Sequence, residues 1–366
     1  MKTPRKAFVL AAGFGTRLLP LTRELPKPLL PVWNVPNLER ILVMLRGWGV
    51  HDVLVNIHHR ADRMFEYLRT RPHDGLRITI SFEPEILGTG GALRKADWFF
   101  DGDEPVWVIN GDVAADLDPR PLLRAYPARR VIAVAWVHRS AGPRTVEVVR
   151  GRIVNFRSKR PGARGTFTFC GAQLVNPKLL DRGAEYLNGT AIFESLIDAY
   201  ERAKADGWHV AGVEAPGSFW ADIGTPAQLL ACHRALAHGH DFIAIDSTAH
   251  IHPSATIKNS IVCAGATLGP RARVNNAIVA AGAKVNVPVS YLALPATAAF
   301  DAKELTALHA MKWPVGLVTA LPLGRVGRVE PILVSRETPR RRFWCTTTRR
   351  GWRTPCTRAT LDFCAN

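Results

Sequence analysis

The stretch Ala7-Phe-Val-Leu-Ala-Ala-Gly-Phe-Gly-Thr-Arg-Leu-Leu-Pro-Leu-Thr-Arg-Glu-Leu-Pro-Lys-Pro-Leu-Leu-Pro-Val32 decides the fold of this chain. The apolar run Ala7 to Ala12 reads as a buried parallel strand, because it offers no polar face to water. It runs into a glycine turn at Gly13 and Gly15, where a missing Cβ lets backbone N–H groups approach a phosphate. Arg17 follows at the tip, and Lys27 sits between Pro26 and Pro28, which stiffen its loop. The predicted result is a phosphate cradle with two fixed cations. The rival reading is the dinucleotide fingerprint Gly-x-Gly-x-x-Gly. It fails here because the third glycine position holds Leu18 and proline-rich sequence follows up to Pro36.

Working outward, short buried strands are predicted at Val53 to Asn56, Ile78 to Phe82 and Val106 to Asn110. Helices are predicted between them at Leu38 to Trp48, Ala61 to Thr70 and Pro121 to Tyr126. This alternation predicts an open α/β fold, a mostly parallel Rossmann-like sheet with helices on both faces. Ligands bind such sheets beyond the carboxyl ends of the strands. The glycine turn lies at one such end, and Asp112, in Asn110-Gly-Asp112, lies just past another. A β-rich insertion is predicted over Val131 to Val137, Thr145 to Val149, Ile153 to Phe156 and Phe167 to Leu174. Ala191 to Ala205 and Pro226 to Ala237 read as further helices.

The opening string, from Leu-Ala-Ala-Gly-Phe-Gly-Thr-Arg-Leu to Pro-Lys-Pro-Leu-Leu-Pro-Val, resembles the signature of the sugar-1-phosphate nucleotidylyltransferases, the NDP-sugar pyrophosphorylases. The resemblance implies their fold and their reaction, with a nucleoside triphosphate and a sugar 1-phosphate as partners. In that reaction a phosphate oxygen of the sugar phosphate attacks the α-phosphorus, and pyrophosphate leaves in line. A phosphate monoester has a second pKa of about 6, so the nucleophile is already ionised and no protein base is needed. Positioning and charge neutralisation carry such a step.

Arg17 and Lys27 fit the catalytic cations, with Arg17 on the β- and γ-phosphates and Lys27 near the α-phosphate. The resemblance implies nucleotide binding by Ala11, Ala12, Gly13, Gly15 and Thr16, and by Gly88, Thr89 and Gly90 of the loop Leu87-Gly-Thr-Gly-Gly-Ala92. It implies Mg²⁺ as cofactor, held by Asp112 and by Asp222 of Phe219-Trp-Ala-Asp-Ile-Gly-Thr-Pro226. The other reading of Asp222 is an N-cap for the helix that follows, a role Thr225 fills equally well. Gly171, in Phe167-Thr-Phe-Cys-Gly171, matches a glycine bordering the sugar, and the predicted β-rich insertion would cover that side. Family members often carry Glu-Lys-Pro before that strand, where this chain has Lys159-Arg160-Pro161. Arg160 retains a grip on the sugar phosphate, and bidentately; the acid is missing. His58 and His59 resemble segments of the N-acetylmuramate-1-phosphate uridylyltransferase branch and point to uridine and an amino sugar of cell-wall metabolism. The mannose-1-phosphate guanylyltransferase branch shares the Leu-Gly-Thr loop, so UTP and GTP both stay open.

Beyond about Ile245 the pattern changes. Asn259-Ser-Ile-Val-Cys-Ala-Gly-Ala-Thr-Leu268 recurs seventeen residues later as Asn276-Ala-Ile-Val-Ala-Ala-Gly-Ala-Lys-Val285. Aliphatic residues recur in steps of five or six from Ile251 to Val285. This hexapeptide-type repeat predicts a short left-handed parallel β-helix. So few coils imply docking on the catalytic domain or on a second copy, as a homo-oligomer. The predicted organisation is a catalytic domain over 1–235, a linker over 236–248, the β-helix over 249–292 and a basic tail over 293–366 with little structure, read as a truncated remnant or out-of-frame sequence. Phe300 to Trp313 reads as one amphipathic helix inside it.

The 366 residues carry a formal charge of +17, of which Arg325 to Asn366 supplies +7 through ten arginines against three acids. The excess is concentrated in that segment, so it is not read as a nucleic-acid surface. The rest is moderately basic, as suits phosphorylated substrates. Six scattered cysteines form no Cys-x-x-Cys pair, which argues against zinc and fits free thiols in a reducing cytoplasm. The apolar run after Lys2, Arg5 and Lys6 is too short for a signal peptide, and no stretch reaches the length of a membrane span. Two other classes compete: a catalytically silent nucleotide-sugar-binding subunit, and a bifunctional enzyme whose β-helix transfers acyl groups through His250 and His252. Two or three coils are few for the second. The presence of Arg17, Lys27, Asp112 and Asp222 weighs against the first.

Overall fold

In the computed structural model, which describes residues 3–181, 195–238, 240–285 and 289–293, Ala7, Phe8 and Val9 are fully buried. They form the middle of β1 (Lys6–Leu10), covered on both faces. The chain then runs through β2 (Pro31–Val32), β3 (Val35–Pro36), α1 (Asn37–Gly47), β4 (Asp52–Ile57), α2 (Ala61–Thr70), β5 (Arg77–Phe82) and α3 (Gly88–Lys95). It continues through β6 (Val106–Asn110), β7 (Val113–Asp116), α4 (Arg120–Ala125), β8 (Val131–His138), β9 (Val146–Val149), β10 (Arg152–Asn155) and β11 (Thr166–Val175). The last elements of this part are α5 (Lys178–Asp181), α6 (Leu196–Ala205), β12 (His209–Val213) and β13 (Phe219–Asp222).

The chain divides into two compact units. One gathers the chain up to Gly15, Glu24–Leu30 and Pro36–Gly224; the other gathers Thr16–Arg23, Pro31–Val35 and the chain from Thr225. The first is a mixed α/β unit around a nine-stranded sheet of order β5-β4-β1-β6-β11-β8-β12-β10-β9. β5, β4, β1 and β6 run parallel. β11 pairs antiparallel with both β6 and β8, while β12 returns parallel to β8. Strands β8 to β12 are therefore not an insertion beside the sheet; they complete it. A kink in β11 masked this in the sequence: its register against β8 shifts between Phe169 and Gln173.

Helices cover both faces of this sheet. Leu38, Ile41, Leu42 and Leu45 put one stripe of α1 into a core with Val9, Val53 and Val55. On the other face Phe8 and Leu54 pack with Leu93, Phe100, Ala199 and Tyr200. Each fully buried aliphatic or aromatic side chain contributes about 1.5–3 kcal/mol relative to exposure.

In the second unit α7 (Pro226–Leu236) precedes β14 (Ile243–Ile245), β15 (His250–Ile251), β16 (Thr256–Lys258), β17 (Ser260–Val262), β18 (Thr267–Leu268), β19 (Arg273–Val279), β20 (Lys284–Val285) and β21 (Val289–Ala293). The ladders are parallel, and those from β14 to β20 join residues seventeen apart, as Ile243 with Ser260, His250 with Thr267 and Ile261 with Ile278. Val262, Leu268, Val274, Val279 and Val285 point into one apolar core. Asn259 and Asn276 turn the chain with φ of +49° and +51°, a conformation Asn tolerates better than most residues. In the same unit Trp33 donates its backbone N–H to His233 Nε2 at 2.7 Å, and its ring stacks on that imidazole. The remote tail, the helix read over Phe300 to Trp313 and residues 191–194 lie outside the described residues. No helix among the described residues is long and apolar enough to cross a membrane.

Candidate functional site

The carboxyl ends of β1, β4 and β6 converge in the first unit. Gly111 donates its N–H to the Leu10 carbonyl at 2.8 Å. A Cβ on Gly111 would meet that oxygen at 2.9 Å, so only glycine lets the two loops come this close. Asp112 follows at once. Its carboxylate accepts a charge-assisted hydrogen bond from Lys27 Nζ at 2.7 Å.

Lys27 opens a single helical turn, Lys27–Leu29, whose Leu29 N–H bonds back to the Pro26 carbonyl at 2.9 Å. Pro26 and Pro28 preset this turn and hold the lysine on Asp112. The sequence reading put Lys27 on a phosphate cradle, and with it exposure to solvent. The structure corrects this: the residue is only 7% exposed, because the proline turn folds its stem inward.

Asp222 lies beside Asp112. The β7·β13 ladder pairs Val113 with Asp222, and Ile223 N–H donates to the Asp112 carbonyl at 3.3 Å. Asp222 Oδ1 accepts the Gly224 N–H at 2.7 Å, which orients the carboxylate. It does not cap the next helix; Thr225 does, with its hydroxyl accepting from Gln228 N–H at 3.2 Å. Among the described residues there is no group of three or more His, Cys, Asp or Glu that could hold a metal ion.

Gly171 also belongs to this cluster. Its φ is +75°, and a Cβ would meet Val113 Cγ1 at 2.9 Å and Asn110 Cβ at 3.1 Å. Glycine is required there for packing against the Asn110–Asp112 turn. Gly13 is open, with no atom within 4 Å of an added Cβ, while Ala11 and Ala12 are buried. Gly15 has a φ of +66°. Gly88 begins α3 with a φ of +71°, Gly90 is buried, and the Thr89 hydroxyl accepts the Leu196 N–H at 2.9 Å. Thr16 and Arg17 belong to the second unit, in the short turn Thr16–Leu18 where Leu18 is buried and Arg17 is exposed. Arg160 is exposed on the loop after β10, and its backbone N–H donates to Ser158 Oγ at 3.1 Å.

Three residues escaped the sequence reading. Asn37 is fully buried, and its side-chain amide donates to the Gly111 and Val113 carbonyls at 3.1 and 2.9 Å. It thus pins the backbone on both sides of Asp112. Asn56 accepts the Ala11 N–H at 2.6 Å and donates to Glu83 at 2.8 Å. Glu83 is fully buried and accepts the Leu87 N–H at 3.1 Å. The available signal was a polar residue at the end of an otherwise apolar strand, Val53-Leu-Val-Asn56.

Residues 6–239 match the nucleotidyl transferase family. The chain is 33% identical over 229 residues to mannose-1-phosphate guanylyltransferase 1 of Arabidopsis thaliana, covering 60% of this chain and 62% of that protein. It is 31% identical over 217 residues to a UTP–glucose-1-phosphate uridylyltransferase of Synechocystis, covering 53% and 55%. The chain thus spans less than two thirds of the length of these relatives. Among solved structures, UDP-glucose pyrophosphorylase complexed with UDP-glucose aligns with a TM-score of 0.52 at 17% identity, over 65% of this chain and all of that one. A Bacillus anthracis protein described as a glucose-1-phosphate thymidylyltransferase aligns with a TM-score of 0.54 at 22% identity, over 65% and 96%. At such identities the structural likeness speaks for the fold, while the family match covers most of the chain. A glycine turn, a buried Lys27 on Asp112 and Asp222 on the neighbouring strand thus sit in a chain that belongs to the nucleotidyl transferase family.

Proposed function

We propose that this chain transfers a nucleotidyl group from GTP or UTP to a sugar 1-phosphate, releasing pyrophosphate. The observation that carries the reading is the Lys27–Asp112 pair with Asp222 on the adjoining strand, at the strand ends where such sheets take ligands. The relatives named for mannose 1-phosphate and glucose 1-phosphate support these two sugars as first candidates. The histidine pair leaves an amino sugar as the third.

In the proposed step an oxygen of the sugar phosphate forms a bond to the α-phosphorus. The bond from that phosphorus to the bridging oxygen breaks, and pyrophosphate departs with the electron pair. Lys27 neutralises charge at the α-phosphate, and Arg17 binds the β- and γ-phosphates. Backbone around Ala11, Ala12, Gly13, Gly15 and Thr16 holds the nucleotide, Gly88 to Gly90 takes the base, Gly171 borders the sugar, and Arg160 grips its phosphate.

Asp112 and Asp222 fit Mg²⁺. Both donors are hard carboxylate oxygens, Asp222 ends a strand whose partner begins one residue after Asp112, and no third acidic or histidine ligand closes a cage among the described residues. Mg²⁺ commonly binds through one or two carboxylates, with phosphate oxygens and waters completing its shell. When bound, the ion would draw charge from the triphosphate oxygens.

The repeat over 243–285 is read as coils of a left-handed parallel β-helix that follow a catalytic domain ending near 235, a reading supported by the seventeen-residue ladders. The activity test crosses four nucleoside triphosphates with mannose, glucose and N-acetylmuramate 1-phosphates and reads pyrophosphate. Release that requires Mg²⁺ is expected with GTP or UTP. Nucleotide-sugar binding without turnover of any pair would instead make the chain a silent binding subunit.

A further inference from the structure

The loops assigned to the nucleotide are joined by a buried relay. The Ala11 N–H donates to Asn56 Oδ1 at 2.6 Å, Asn56 Nδ2 donates to Glu83 Oε1 at 2.8 Å, and the Leu87 N–H donates to Glu83 Oε2 at 3.1 Å. The direction of each bond is fixed. A backbone N–H can only donate, so the carboxamide oxygen must face Ala11 and its nitrogen must face Glu83. The relay crosses 45 residues from Ala11 to Asn56 and 27 more to Glu83. It ends on the first residue of the Leu87-Gly-Thr-Gly90 loop.

A second, independent link runs beside it. The ring of Phe14, in the glycine turn, meets the His58 ring edge-on at 5.0 Å. His58 Nδ1 lies 2.8 Å from the Glu83 carbonyl. That oxygen can only accept, so Nδ1 carries the proton.

Glu83 is fully buried, and no Lys or Arg side chain bonds to it among the described residues. A buried carboxyl is costly unless its oxygens are satisfied, and an apolar residue would fill the same space without that cost. What the carboxyl supplies is two directed acceptors, one toward each loop.

We propose that Asn56 and Glu83 are positioning residues that fix the glycine turn and the 87–90 loop to each other, so that both halves of the nucleotide site act as one body. The proposal rests on the reading above that both loops bind the nucleotide. It concerns ground-state placement of the nucleotide, so KM for the triphosphate should move more than kcat, and KM for the sugar phosphate should stay.

The test uses the full chain with Asn56→Asp, Glu83→Gln and the double variant. Asn56→Asp sets two carboxyls against each other, which must share a proton. Its activity should survive at acid pH and fall as pH rises through the raised pKa of the pair. At neutral pH kcat/KM for the triphosphate should drop by about tenfold or more, the scale of a lost buried partner. Glu83→Gln alone leaves one donor, the Leu87 N–H or the Asn56 amide, facing an amide nitrogen and should also weaken nucleotide binding. In the double variant, the introduced aspartate can accept from both the Ala11 N–H and the amide nitrogen of the introduced glutamine, whose oxygen in turn accepts from Leu87. The double variant should recover most of the lost kcat/KM and lose the added pH limb. A double variant no better than Asn56→Asp, or single variants indistinguishable from wild type, would overturn the proposal. If Asn56→Asp does not fold, the double variant decides by the same measure.

Hydrogen exchange without substrate keeps this separate from the proposed activity. Asn56→Ala should speed exchange at the Leu87 amide as well as at Ala11. Acceleration at Ala11 alone would overturn the coupling even in an active enzyme. Absence of turnover in the wild type, with both amides responding, would sink the assigned reaction and leave the coupling standing.

Discussion

In the first unit the residues of the candidate site meet across long stretches of chain, 85 residues from Lys27 to Asp112 and 45 from Ala11 to Asn56. In the second unit the ladders from β14 to β20 repeat one interval of seventeen residues. The first arrangement concentrates function in a few irreplaceable pairs. The second spreads stability over equivalent layers, each resting on its neighbours. Substitutions in the two units should therefore fail in different ways, one in chemistry and the other in melting temperature.

The largest effect is expected at Lys27. Lys27→Ala removes the cation held at 2.7 Å from Asp112 and should lower kcat by about 10²–10³ or more, the cost of one preorganised charge-stabilising donor. Because the residue is buried and paired, a lower melting temperature should accompany the loss. Near-normal turnover in Lys27→Ala would remove it from the site. Asp112→Asn and Asp222→Asn should each raise the Mg²⁺ concentration needed for half-maximal rate. If they serve one ion, the double variant should cost much less than the sum of the singles.

The second unit gives the contrasting case. Leu268 is 2% exposed in the apolar core of the ladders, and Leu268→Ala should cost about 2–5 kcal/mol in denaturant unfolding. Its Mg²⁺ requirement should stay that of the wild type. A shifted Mg²⁺ requirement would break the contrast drawn between the units.

A smaller effect is expected at the buried polar support of the first unit. Asn37→Ala strips the donors from the Gly111 and Val113 carbonyls and should destabilise by about 1–3 kcal/mol. It should also lower turnover, since those carbonyls flank Asp112. Stability loss with an unchanged rate would show that Asp112 holds its place without Asn37.

These residues also mark how far the sequence could be read. Lys27 stood out between its two prolines and Asp112 just past a strand end, while Asp222 was marked by the family resemblance of its segment. Asn37, Asn56 and Glu83 did not. Asn37 and Asn56 find partners 27 to 76 residues away, and Glu83 meets Asn56 across the same sheet, an adjacency that no local pattern encodes. The parallel strands β1, β4, β5 and β6 were legible as apolar runs between amphipathic helices. The membership of β8 to β12 in the same sheet was not, because β11 runs against its neighbours and shifts register in its middle. The seventeen-residue interval was legible, since repeated layers place equivalent residues at equal spacing.

The smallest effect belongs to the turns between those layers. Asn276 has a φ of +51°, and its side chain accepts from Arg234 at 2.7 Å. Asn276→Ala and Asn276→Gly both lose that bond, but only alanine strains the backbone. Alanine should be the less stable by about 1 kcal/mol in paired unfolding curves. Equal stabilities would mean that the turn relaxes on substitution.

The most direct test of direct transfer between two bound substrates is isotope exchange. Labelled pyrophosphate is mixed with the chain, Mg²⁺ and GTP or UTP, with and without the sugar 1-phosphate. The account predicts that label enters the triphosphate only when the sugar phosphate is present, because its own oxygen attacks the α-phosphorus. Exchange without it would reveal a nucleotidyl group held covalently on the protein, and would contradict a site that works by positioning and charge alone.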